Sequence, residues 1–277
     1  MTSESAGTAL RLGLVIGLVV LASFLPPDTS LQQVREAGVL RVCVPTSYPP
    51  LVTGDARNPG LDVDLVKAVA KELGVDAYMA VNPAMGTSFD PRKWNVTRSQ
   101  CQLLAGGTVD TATTRSFLEV TPSYLVTGWM LITPEGRGLG ELTRVGVYFS
   151  NVNFDRLELS QFLGEEGIAA VPLGSVREAT AALEAGEVDG LLMEALTATR
   201  VADLYSWNLE WASERLTSYP LVLGMWKGDV TLKRAVVGAM RDLEVSGRLD
   251  DLRERYGVAE IGVTKVEQSR WGEDGIR

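Results

Sequence analysis

GLDVDLVKAVAKELGVDAYMAV, residues 60–81, reads as a helix that stops and becomes a strand. Val63, Val66, Val69, Ala70 and Leu73 recur at helical spacing and form one apolar stripe, with Lys67, Lys71 and Glu72 elsewhere. Gly74 ends the predicted helix Asp62–Leu73, and Val75–Val81 follows as a strand. SVREATAALEAGEVDGLLME, residues 175–194, repeats the layout. Ser175 and Glu178 predict a capping box ahead of Ala179, Ala182 and Leu183, Gly186 stops the helix, and Val188–Met193 is the next strand. Two such α/β units, with a candidate hinge near Thr133-Pro134 and a return near Ser218, predict two lobes. A cleft between α/β lobes is a place for a small polar ligand.

The chain has 277 residues, enough for two ordinary domains, and its 45% hydrophobic and 22% charged content is that of a globular protein. The formal net charge of −9 argues against nucleic acid as a partner, since such binders carry a basic stripe. There is no histidine, which removes Ser-His-Asp and Cys-His catalysis, His-ligated zinc and the usual neutral-pH proton shuttle. No cofactor or metal site is expected.

Leu12–Leu25 is an apolar run flanked by Arg11 and by Pro26-Pro27. Its length is short for a membrane span and suits a signal-peptide core, with cleavage after Ala22. An uncleaved anchor to the inner membrane is the alternative, and both readings export the remainder to the periplasm. In an oxidising compartment the only two cysteines, Cys43 in a predicted strand and Cys101 in a predicted helix, are a candidate disulfide. Two buried free thiols are the competing reading.

Further strands are expected at Val39–Val44, Thr108–Ala112, Leu125–Thr133, Arg144–Tyr148, Ile168–Val171 and Leu221–Trp226. Helices are expected at Leu31–Ala37, Arg98–Ala105, Phe154–Leu163, Val230–Val245 and Arg248–Arg255. Residues 82–98 are too long for a tight connection and read as a surface excursion or a piece of the cleft rim. Leu209–Thr217 should return the chain to the first lobe. The resulting division is 1–30 leader or anchor, 31–133 plus 218–260 first lobe, 134–217 second lobe, and 261–277 polar tail.

LRVCVPTSYPP, GLDVDLVKAVAKELGV, LLAGGTVDTATTR, AALEAGEVDGLLME, YPLVLGMWKGD and AVVGAMRDLEVSGRLDDLRERYG occur in that order. This succession resembles bacterial periplasmic solute-binding proteins of the class that delivers polar amino acids to ABC importers, over nearly the whole chain from Leu31 to Gly257. The resemblance implies an α/β, two-lobe periplasmic-binding-protein-like fold with a hinge of two crossover strands and an interlobe cleft. It implies a monomer that captures an amino-acid-like or carboxylate-bearing ligand for an ABC permease.

Motif positions carry the family's roles to Tyr48, an aromatic ring that packs on the ligand, and to Arg115, which clamps its α-carboxylate. Glu194 falls where an acid, usually Asp, receives the α-ammonium, and Ser150 and Asn151 fall in the loop that helps hold the carboxylate. An arginine supplies a bidentate fork for a carboxylate, and charge-assisted bonds contribute about 1.5–3 kcal/mol each. Each residue also has a plainer reading: Arg115 as a solvated loop residue, Tyr48 packed on its Pro-Pro turn, Glu194 capping the next helix. The sequence TATTRSFLEVTPSYL departs from the family's usual spacing after the arginine, and Glu194 is a methylene longer than Asp. Alternatives to transport are a membrane-associated accessory or sensory module acting with a periplasmic partner enzyme, or an enzyme like the periplasmic cyclohexadienyl dehydratases, with Glu194 as general acid.

Overall fold

The computed structural model describes residue 13 and residues 28–86, 88–149 and 154–259. Apart from Gly13, the leader run, the loop residues Ser150 and Asn151, and the tail 261–277 all lie outside the described residues. Among the described residues, no helix is long and apolar enough to cross a membrane.

Helix α1 (Ser30–Ala37) enters strand β1 (Val39–Val44), and α2 (Leu61–Leu73) returns the chain to β2 (Asp76–Val81). β2 lies parallel to β1, with Val39 opposite Asp76 and Val44 opposite Val81, as a βαβ unit requires. The apolar stripe forms because Val63, Val66, Val69, Ala70 and Leu73 are all buried. β3 (Leu103–Leu104) pairs with the other side of β1. Helix α3 (Ala112–Phe117) and β4 (Leu118–Val120) follow, and the late strand β12 (Gly224–Trp226) inserts antiparallel between β3 and β4. The first sheet therefore runs β2-β1-β3-β12-β4.

The chain leaves this sheet through β5 (Leu125–Thr127) and, past Gly128, enters β6 (Trp129–Thr133). It then forms β7 (Arg144–Tyr148), α4 (Arg156–Glu165), β8 (Ala169–Leu173), α5 (Val176–Glu184), β9 (Gly190–Glu194), α6 (Ala195–Tyr205) and β10 (Asn208–Trp211). The second sheet has the order β10-β6-β9-β7-β8, with β7 parallel to both β8 and β9. β11 (Tyr219–Leu221) brings the chain back and pairs antiparallel with β5, Tyr219 opposite Thr127. Helices α7 (Val230–Val245) and α8 (Arg248–Arg255) close the first lobe. The expected hinge of two crossover strands is the β5–β11 ribbon.

Several local expectations are corrected. The changeover falls at Gly128 rather than at Thr133-Pro134, because Trp129–Thr133 hydrogen-bonds into the second sheet against β9 and β10. The return is β11, while Leu209–Trp211 stays in the second sheet beside β6. Arg98–Ala105 is not a helix: Leu103 and Leu104 pair with β1, and Cys101 is bonded to Cys43 with Cα atoms 5.6 Å apart. Ala112–Phe117 is helical instead of the end of a strand, capped by Thr111 Oγ1 accepting from Thr114 N at 3.0 Å. A local pattern of mixed apolar and polar residues cannot foresee a two-residue strand held by a disulfide.

The disulfide and the buried Trp94 and Trp226 anchor the long excursion after β2. Trp94 Nε1 donates to Ser88 O at 2.6 Å, and Asn82 Nδ2 donates to Trp94 O at 3.0 Å. Trp226 Nε1 donates to Cys101 O at 2.7 Å. The excursion is thus a folded wall, not a free loop.

One carboxylate ties the first lobe together beneath this wall. Asp62, fully buried in the first turn of α2, accepts from Gly106 N and Gly107 N and, at 2.7 Å to each oxygen, from Tyr124 Oη. Both glycines have positive φ, +91° and +89°. A Cβ on Gly106 would lie 2.2 Å from Pro45 Cδ, and one on Gly107 would lie 2.4 Å from Tyr48 Cε1. Only glycine turns both amides onto Asp62 and lets the Tyr48 ring approach.

Burial pushes the Asp62 carboxyl up to about 6, against the lowering effect of its hydrogen bonds to Tyr124, Gly106 and Gly107. The folded state therefore holds this proton more tightly than the unfolded chain. Its stabilising contribution is complete below the ordinary value of 3.8 and is lost as pH rises through about 6. Urea unfolding of wild type should show a loss on the order of 3 kcal/mol across that window. Asp62→Asn, which keeps an acceptor for the two amides, should remove this share of the pH slope.

Candidate functional site

In open α/β sheets, ligands bind outside the carboxyl ends of parallel strands. Both sheets here present such ends to the same space. A cleft of about 880 Å³ lies between them. Its first-lobe wall is built from the segments after β1 (Thr46–Pro49), after β2 (Pro83, Met85, Gly86, Ser88, Phe89 and Trp94) and after β3 (Gly106 and Gly107). The opposite wall comes from the ends of β7 (Tyr148, Phe149), the first residue of α4 (Arg156), the first residue of α5 (Val176) and the N-terminal half of α6 (Thr197, Arg200).

Tyr48 is held by a tight turn. Its N–H donates to Val52 O at 2.7 Å, and its own carbonyl accepts from Leu51 N and Val52 N at 2.8 and 3.0 Å. The ring stands over Gly107 and lines the cleft. Its hydroxyl reaches across to Glu194 Oε1 at 3.4 Å, a long contact that still joins the lobes. Burial, with the Glu194 charge second, raises the Tyr48 phenol well above its ordinary range, so it remains a donor at every physiological pH.

Glu194 ends β9 and caps α6, so the capping reading of this residue is realised. It is 1% exposed. Oε1 accepts from Leu196 N at 3.1 Å and from the Thr127 hydroxyl of the hinge strand, and Oε2 accepts from Thr197 N at 3.1 Å and Thr197 Oγ1 at 3.2 Å. With Tyr48 added, five donors converge on two oxygens. Burial raises its pKa, while the bonds from Thr127, Leu196 and Thr197 oppose the shift.

Arg115 stands apart from the cleft lining. It sits in α3 with a side chain 59% exposed, and grips Asp110 in a bidentate pair, Nε to Oδ1 at 2.6 Å and Nη2 to Oδ2 at 2.7 Å. Asp110 precedes the Thr111 cap of α3, so one helical turn brings the guanidinium back over it. The motif put Arg115 on the ligand; in this geometry a neighbouring carboxylate already fills its fork. Of the indoles, Trp94 lines the cleft, while Trp129 and Trp226 are buried outside its lining.

Among the described residues, the guanidiniums that line the cleft are those of Arg156 and Arg200. Arg156 lies 4.5 Å over the Phe149 ring, a cation–π contact that holds it at the wall. The sequence reading missed both. Arg156 lies inside the expected helix Phe154–Leu163 and is the first residue of α4, but no local pattern marks it as facing a cleft. Arg200 belongs to α6, whose existence rested only on the remark that Glu194 could cap a helix. Among the described residues, no cluster of three or more His, Cys, Asp or Glu could hold a metal ion.

Replacing Glu194 by Ala should cost about 2–4 kcal/mol in chemical unfolding, because a helix cap goes and buried donors from Thr127 and α6 lose their acceptor. Glu194→Gln, which keeps one acceptor oxygen, should cost less.

Comparison with known proteins places this architecture. The family model for bacterial extracellular solute-binding proteins, family 3, matches residues 40–259. Comparison with curated proteins found no match. Among solved structures, a polar amino acid ABC uptake transporter substrate binding protein from Streptococcus thermophilus is similar, with TM-score 0.72 and 17% identity over 88% of this chain and 97% of that one. The L-cystine solute receptor of Neisseria gonorrhoeae, in its unliganded open conformation, gives TM-score 0.68 and 17% identity over 84% and 98%. An ancestral cationic amino acid solute binding protein gives 0.65 and 20% over 82% and 99%. At these identities the structures establish the two-lobe fold, and the family model covers most of the sequence. The chain belongs to the bacterial extracellular solute-binding proteins, family 3.

Proposed function

We propose that this solute-binding protein captures a small polar, carboxylate-bearing or amino-acid-like ligand in the interlobe cleft and presents it to an ABC importer after export. The observation that carries the reading is the cleft itself. Six parallel-strand ends from two sheets meet around it, and the sheets communicate through the β5–β11 ribbon. A short two-stranded connection lets the lobes rotate against one another, so a ligand that touches both walls favours the closed form.

Tyr48 supplies a ring and a hydroxyl from the first lobe, and the loop carrying Ser150 and Asn151 supplies donors from the second. Arg115, engaged by Asp110, is left out of the proposed site. Glu194 supports the site from behind, fixing α6 and the hinge rather than meeting the ligand. Export to the periplasm by the N-terminal run is part of the same proposal.

The enzymatic alternative rests on Glu194, a carboxyl that keeps its proton to higher pH than usual. Its oxygens are turned toward backbone and hydroxyl donors, which suits a structural cap better than a general acid.

A thermal-shift screen of the purified protein over L-amino acids and small organic acids tests the binding reading. A cognate ligand at about one hundred times its dissociation constant should add about 2.7 kcal/mol and raise the melting temperature by several degrees. Small-angle scattering should show compaction with the same ligand. No shift across the whole panel would defeat the reading, and conversion of prephenate or arogenate by the purified protein would replace it with the enzymatic one.

A further inference from the structure

The charges facing the cleft do not suit every ligand the family fold can hold. Arg156 and Arg200 are its charged members, and no Asp or Glu lines it among the described residues. The positions next to lining residues in sequence that lie outside the description, Thr87 and Ser150–Asn153, are uncharged. Both arginine side chains are exposed, and among the described residues neither forms an ion pair or a hydrogen bond. In a chain of formal net charge −9, a cleft walled with two such guanidiniums is a local reversal of sign.

The acids bonded to lining residues or next to them in sequence are engaged by other partners: Asp62 by the Gly106 and Gly107 amides and Tyr124, and Asp90 by Arg92. Glu194 is 1% exposed and surrounded by donors from Thr127, Leu196, Thr197 and Tyr48. Asp155 caps α4 instead, accepting from Leu157 N at 2.9 Å and Glu158 N at 3.0 Å. A ligand ammonium entering the cleft would therefore give up water without meeting a carboxylate, and would lie near two cations. An anion meets the opposite situation, because each guanidinium offers a fork that matches a carboxylate.

Resting on the solute-binding reading above, we infer that the cleft is built for a ligand of net negative charge, a dicarboxylate, with Arg156 and Arg200 as the residues that set this preference. Zwitterionic and cationic amino acids are disfavoured by the same two residues. The aromatic wall, Tyr48, Tyr148 and Phe149 among it, packs on the carbon chain between the acid groups.

Isothermal titration calorimetry on the purified protein tests this with two sets of probes: straight-chain dicarboxylates from oxalate to adipate, and L-glutamate, L-glutamine and L-arginine. At least one dicarboxylate should bind at least tenfold more tightly than L-glutamine and L-arginine, with affinity falling as salt is added. Arg156→Gln and Arg200→Gln should each weaken that dicarboxylate at least tenfold with little change in melting temperature, and the matching Lys variants should recover part of the loss. L-Glutamine or L-arginine binding more tightly than every dicarboxylate overturns the inference and leaves the solute-binding reading standing. So does a dicarboxylate indifferent to both Gln variants. No binding of any probe, combined with a flat thermal-shift panel, overturns both.

Discussion

The structure depends on a carboxylate that has been taken out of water and given enough donors to stay there. Glu194 ends the central strand β9, caps α6, accepts the hydroxyl of Thr127 in the hinge and meets Tyr48 from the other lobe. An unpartnered buried charge would cost several kcal/mol, so the convergence is a condition for burying the acid at all. Because these donors come from separate elements, Glu194 ties the hinge strand to the start of α6, while the longer Tyr48 contact is one that rotation of the lobes would release.

Asp62 does the corresponding work in the first lobe. Its acceptors hold the Gly106-Gly107 amides and Tyr124, which leads into β5. Each lobe thus has one desolvated acid behind the cleft wall, and both carboxyls are shifted upward by burial. The acids stabilise the walls from within and, among the described residues, leave the lumen to uncharged groups and to Arg156 and Arg200. The buried acids and the two lining guanidiniums thus lie on different sides of the same wall.

Much of this was legible in the sequence. The helix expected at Asp62–Leu73 and the Ser175 cap are local, and both form: the helix spans Leu61–Leu73, and Ser175 Oγ accepts from Glu178 N at 3.1 Å. The reciprocal bond is displaced by one residue, Glu178 Oε2 accepting from Gly174 N at 2.8 Å. Arg144–Tyr148, Val230–Val245 and Arg248–Arg255 form with the expected bounds. The Cys43–Cys101 disulfide, expected from count and compartment, is present. The Arg98–Ala105 segment was misread because its strand character comes entirely from pairing with β1.

The sequence by itself determined the two α/β units and their order, because apolar periodicity, glycine stops and caps act between residues a few positions apart, while the family was legible only as a resemblance in the succession of motifs. Tertiary structure alone decided which charged groups face the cleft. Arg115 turns to Asp110 and Glu194 turns inward, whereas Arg156 and Arg200 line the space between the sheets. A side chain's direction follows from competition among partners brought together by folding, and no local pattern records that competition.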